Sequence, residues 1–135
     1  MLVAMPLMIV PLVLYNIAML GVVGGAGVAS LSTVVTSLQM VSGATWTMSL
    51  GDVLIVIGLV LLFVEILKAS RNGRSSLFNH MLSLVVFVGY LVEFLLVRNA
   101  ATQIFFILMT ITFIDVVGGF AVAIRTAGRD VSIGL

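Results

Sequence analysis

The first charged side chain in this polypeptide is Asp52, so fifty-one residues pass with no formal charge beyond the amino terminus. No water-soluble fold is built this way, because soluble domains draw about a quarter of their residues from Asp, Glu, Lys and Arg. Over all 135 residues the charged share is 8% and the hydrophobic share 62%, with a mean hydropathy of +1.37. Such a chain belongs in lipid, where the backbone has to satisfy its own hydrogen bonds. Only helices or a closed barrel do that. The apolar runs here are continuous rather than alternating, which selects helices.

A hydrocarbon core of about 30 Å takes roughly 20 apolar residues as a helix. Four stretches predict spans on that rule, at 2–24, 51–67, 80–98 and 103–124. The first contains Pro6 and Pro11, which delay or kink its opening turns. It lacks a basic leader, and its apolar run exceeds the roughly 7 to 15 residues of a signal-peptide core, so it is expected to stay as a helix. The expected fold is an all-α membrane protein: four transmembrane helices in an up-down bundle, forming a single domain over residues 1–135.

Orientation is read from Lys and Arg, since acidic residues contribute little to the positive-inside bias. Lys68, Arg71 and Arg74 follow the second span, and Arg125 and Arg129 follow the fourth. Only Arg98 lies in the turn on the other side. Both termini are therefore expected in the cytosol, with the basic residues setting topology and touching anionic headgroups.

Residues 25–50 are uncharged yet rich in Ser, Thr and Gly. Leu31, Val34, Val35, Leu38 and Val41 recur at helical spacing, which predicts a short helix along the outer interface. The alternative is a loop packed over the helix ends. Trp46 is expected to anchor at headgroup level, where amphipathic aromatics collect. Ser49 or Gly51 is positioned to cap the second span, with Asp52 in its first turn.

A charge at mid-bilayer costs about 2.5 to 3.5 kcal/mol on insertion scales, so each buried acid demands a reason. Asp115 lies deepest, twelve residues after Gln103 and ten before Arg125. Phe106, Phe113 and Phe120 form a stripe opposite it on a wheel of about 100° per residue, which turns Asp115 inward, towards another helix or another subunit. Asn16 or Tyr15 is expected to meet it. Glu93 sits roughly 7 Å below the outer end of the third span, and Glu65 near the inner end of the second, positioned to pair with Lys68. His80, Ser83, Phe87 and Tyr90 share one face of the third span, with Glu93 to one side. His80 is read as a cytoplasmic interface residue. Gly21 and Gly25 form a small-xxx-small pair suited to close helix packing.

Two readings of these groups compete. In one, Asp115, Glu93 and Glu65, with Asn16, Tyr90 and the surface Asp52, are stepping groups for protons or small cations. In the other, the acids are hydrogen-bonded or ion-paired and fix helix register.

Several classes are excluded. Without cysteine there is no disulfide, thiolate metal site or thiol nucleophile. One histidine and a net charge of +1 leave no multi-histidine metal site and no basic field for nucleic acid. No nucleophile–base pair is visible, so neither a catalytic residue nor a cofactor is expected.

Taken with GDVLIVIGLVLLFVEILKAS and TFIDVVGGFAVAIRTA, the chain resembles the short four-span inner-membrane proteins of bacteria, a group without an assigned activity. The resemblance implies a bacterial cytoplasmic membrane and no catalytic residues. The expected role is non-enzymatic: an accessory or assembly subunit of a larger membrane complex, or a homo-oligomer, with lipids and other membrane subunits as partners. The alternative is a small oligomeric proton or cation channel using Asp115 and Glu93.

Overall fold

The structure, a computed structural model, describes residues 5–22, 24–71 and 75–133. In chain order the elements are α1 (Ile9–Met19), a 3-10 turn (Gly27–Ser32), β1 (Val34–Gln39), β2 (Thr45–Ser49), α2 (Leu50–Arg71), α3 (Ser75–Leu96), a second 3-10 turn (Arg98–Ala100) and α4 (Gln103–Ile133). α4 is the shared wall of the bundle, packing along both α2 and α3. Gly58 explains part of that fit: Leu108 and Ile111 of α4 occupy the space where a side chain would stand.

An aromatic cluster joins α1, α3 and α4. Phe105 is fully buried there, with the Tyr15 ring 4.9 Å away edge-on and the Tyr90 ring at 5.4 Å. Outward faces remain apolar, including Val56, Leu59 and Phe63 of α2 and Val85, Val88 and Val92 of α3. Polar groups inside and apolar groups outside is the partition lipid imposes.

Among the described residues, three helices are long and apolar enough to cross a membrane: Leu50–Ser70, Phe78–Leu96 and Gln103–Val122. The expected first span is different. α1 has 11 residues, about 16 Å at 1.5 Å per residue and roughly half of a hydrocarbon core. It begins late because of the prolines and stops early because of the glycines. Gly21, Gly24 and Gly25 adopt φ of 76°, 80° and 72°, a left-handed region that ends a helix. The pair read as a packing motif is a chain of turns instead.

The segment expected as an interfacial helix or a loop is a β-hairpin. β1 and β2 pair antiparallel, with Leu38 opposite Trp46 and Gln39 opposite Thr45. Helical spacing of Leu31, Val34, Leu38 and Val41 competed with a run of β-branched Val and Thr residues that matches TWT across a glycine turn. The β propensity prevailed because Gly43, at φ 88°, closes the turn.

The hairpin joins α2 without a linker. Leu50 N–H donates to the Thr33 carbonyl at 2.8 Å. Asp52 accepts from Ser49 N–H and from Ser49 Oγ, each at 2.9 Å, while Asp52 N–H donates to Ser49 Oγ at 3.2 Å. Of the two expected caps, Ser49 and Gly51, it is Ser49 that caps α2, in a reciprocal arrangement with Asp52.

Candidate functional site

The buried polar side chains collect in two layers separated by the aromatic core. Near the hairpin end, α1 meets the turn between α3 and α4. The Tyr15 hydroxyl donates to the Asn99 carbonyl at 2.9 Å and lies 2.7 Å from Thr102 Oγ1. One helical step on, Asn16 Nδ2 donates to the Leu12 carbonyl at 2.8 Å and to Glu93 Oε2 at 3.2 Å. Glu93 Oε1 is buried with no hydrogen-bond partner among the described residues.

The second layer lies nearer the basic end. Glu65, 3% exposed, accepts the Leu7 N–H at 2.9 Å and the Lys68 ammonium at 3.0 Å, both on Oε1. Leu7 lies just before the α1 N-cap residue Met8, which gives no side-chain cap, so this carboxylate of α2 fixes the turn that leads into α1. Lys68 Nζ also donates to the Met5 carbonyl at 3.1 Å. The expected Glu65–Lys68 pair is present, and it also clamps the chain leading into α1.

Asp115 belongs to the same layer. It is 5% exposed, within hydrogen-bonding reach of Ser83, and close enough to Glu65 and Lys68 to feel both charges. Its expected meeting with Asn16 or Tyr15 does not occur, because α1 delivers those side chains to Glu93 and Thr102 instead. Asp115 does face inward, and its partner lies on α3 of the same chain. Phe106 and Phe113 are half exposed, as the aromatic stripe predicts, whereas Phe120 packs 6.0 Å from the His80 ring.

His80 is enclosed by its own chain. It is 3% exposed and fills the notch at Gly119, where an added Cβ would collide with its ring. His80 Nε2, Asp115 Oδ2 and Asn79 Oδ1 are buried without a hydrogen-bond partner among the described residues. Glu65 lies near enough to His80 to act on it electrostatically. Among the described residues no three His, Asp or Glu side chains converge as a metal site.

Tyr90 stands between the layers. Its hydroxyl donates to the Met8 carbonyl at 2.9 Å and has Thr112 within reach. The polar positions of α3 therefore run down one stripe: Asn79, Ser83, Tyr90 and Glu93. Thr112 and Asp115 face them from α4, one turn apart.

Of the basic residues, Arg125 is exposed on α4 and Lys68 is tied to Glu65 and Met5. Arg74 lies outside the described residues, as do the side chains of Arg71 and Arg129. Trp46 stands on the hairpin, 40% exposed. Thr102, Asn99 and Asn79 were not singled out by the sequence; a signal for them was the polar character of the RNAAT turn and the spacing of Asn79 four residues before Ser83. Comparison with family models, with curated proteins and with solved structures gives no match.

Proposed function

We propose that the chain is a non-enzymatic integral membrane protein that works by association, as an accessory or assembly subunit of a larger membrane complex or as a homo-oligomer. The observation that carries this reading is a pair of unfilled notches. Gly51, Gly58 and Gly119 are glycines because side chains of the same chain crowd them, but a Cβ added at Gly89 or Gly118 would meet nothing within 4 Å. Glycine weakens a helix interior by about 1 kcal/mol relative to Ala, and in lipid such small residues gather where a second helix approaches closely. Gly89 sits among Val85, Val88 and Val92, and Gly118 beside Ile114 and Val117, all exposed and apolar.

In this reading α1 and its lead-in form a fourth pass, running from Lys68 at one end to Thr102 at the other. The exposed Arg125 and the Lys68 end face the cytosol of a bacterial cell, and Arg98 the opposite side. Crosslinking in lipid nanodiscs tests association. The parent is expected to link to itself or to retain a partner, and Gly89→Leu with Gly118→Leu to reduce that several-fold while helicity is kept. A parent that stays a lone monomer overturns the reading.

A second reading, proton passage, is favoured by the unpartnered Glu93 and Asp115 oxygens at opposite ends of the polar stripe. Here the route runs through one chain, by Glu93, Tyr90, Thr112 and Asp115. Liposomes holding the parent should show a proton flux that Asp115→Asn abolishes, and an electrically silent parent eliminates it.

A further inference from the structure

The β-hairpin sorts its side chains by chemistry. The register slips between Val34 and Thr36, so Val35 is an extra residue that changes which side chains share a face. Beyond it, Thr36 pairs with Met48 and Leu38 with Trp46, and alternation adds Met40 to that face. Ser37 pairs with Thr47 and Gln39 with Thr45 on the other. One side is therefore largely apolar and the other is hydroxyl and amide. On the apolar side Leu38 is 55% exposed and Met40 43%. Two strands alone are marginally stable in water, so this face calls for a cover.

Three features identify the cover as lipid. The hairpin carries no charge, which leaves apolar area and an aromatic anchor as its means of attachment. It is fixed by the Ser49–Asp52 cap and the Leu50–Thr33 bond to the first turn of α2, a membrane-length helix. Below that junction, between α1 and α2, lies an apolar pocket of about 230 Å³, lined by Leu14, Ala18, Leu31, Val53, Leu54 and Ile57 among others. The pocket spans the first two turns of α2 and suits a length of acyl chain.

We propose that the hairpin lies on the membrane surface at the mouth of α2, its Leu38, Met40, Trp46 and Met48 side set at the boundary of headgroups and acyl chains. The Ser, Thr and Gln side faces water. Its partner is an electrically neutral lipid surface, since no Lys or Arg of the hairpin is there to seek anionic headgroups. This holds whether or not the bundle associates.

Trp46 is the only tryptophan, so the intact protein reports on the hairpin directly. In phosphatidylcholine vesicles its emission is expected to be blue-shifted, quenched by lipid brominated high on the acyl chain, and several-fold less open to acrylamide than free tryptophan. Adding phosphatidylglycerol should change none of these. Leu38→Glu should shift the emission red and admit acrylamide, while Ser37→Glu on the opposite face leaves both as they were. Free access to acrylamide without bromine quenching places the hairpin in water and overturns the proposal. Shielding from both quenchers means a protein cover, and overturns it equally. A dependence on anionic lipid contradicts the neutral partner.

Discussion

The two polar layers hold the same helix by different means. At the basic end α1 is held by its backbone: the Leu7 N–H and the Met5 carbonyl are bound by Glu65 and Lys68, which also bind each other. At the hairpin end it is held by side chains, Tyr15 and Asn16, reaching to Asn99, Thr102 and Glu93. The Glu65 carboxylate serves two donors through one oxygen, one of them charged. Glu93 has a single 3.2 Å contact on one oxygen and none on the other among the described residues. A charge-assisted bond is roughly twice as strong as a neutral one. The lower layer is therefore the anchor of α1, and the upper layer adjusts its position.

Glu65→Leu should break this contrast most severely. Removing one partner of a buried pair leaves the other charge uncompensated, a loss of about 3 kcal/mol in reversible unfolding from mixed micelles. Adding Lys68→Leu should restore part of it, since the stranded ammonium is then gone. Equal losses in single and double variants would show that Glu65 acts through α1 alone.

Gly119 and Gly118 sharpen the comparison between inside and outside. Gly119→Ala forces His80 from its notch and should cost about 1 to 3 kcal/mol in the same measurement. Gly118→Ala meets open space and should stabilise by up to about 1 kcal/mol, the helix-propensity gain of Ala over Gly. Tyr15→Phe removes a hydroxyl that bridges two partners and should cost about 1 kcal/mol. Asn16→Ala should cost least, about 0.6 kcal/mol, the average for hydrogen bonds between membrane helices. If Asn16→Ala proved as damaging as Glu65→Leu, the two layers would be equivalent and the distinction lost.

Much of this was legible in the chain. Three helices follow from apolar length alone, the start of α2 from Ser49 or Gly51 as a cap with Asp52 in the first turn, and the Glu65–Lys68 pair from one turn of helix. The wheel that set the phenylalanines against Asp115 located the interior of α4. What escaped were choices that depend on tertiary placement. Whether 34–39 becomes helix or strand turned on a partner strand, since the residues carry signals for both. Where Asp115 points could be read, but not which helix stands opposite, because that depends on how far α1 reaches before its glycines end it. The packing of His80 was not legible either, since nothing local marks Gly119, on another helix, as the space that receives it.

That the buried histidine and carboxylate of α3 and α4 are enclosed by their own chain is tested most directly by a disulfide, for which the absence of cysteine gives a clean background. His80→Cys and Gly119→Cys, introduced together and oxidised in membranes, should link α3 to α4 within one chain and yield a monomer of altered mobility that reverts on reduction. Disulfide-linked dimers in place of that monomer, or no bond at all, would contradict the packing on which both functional readings stand.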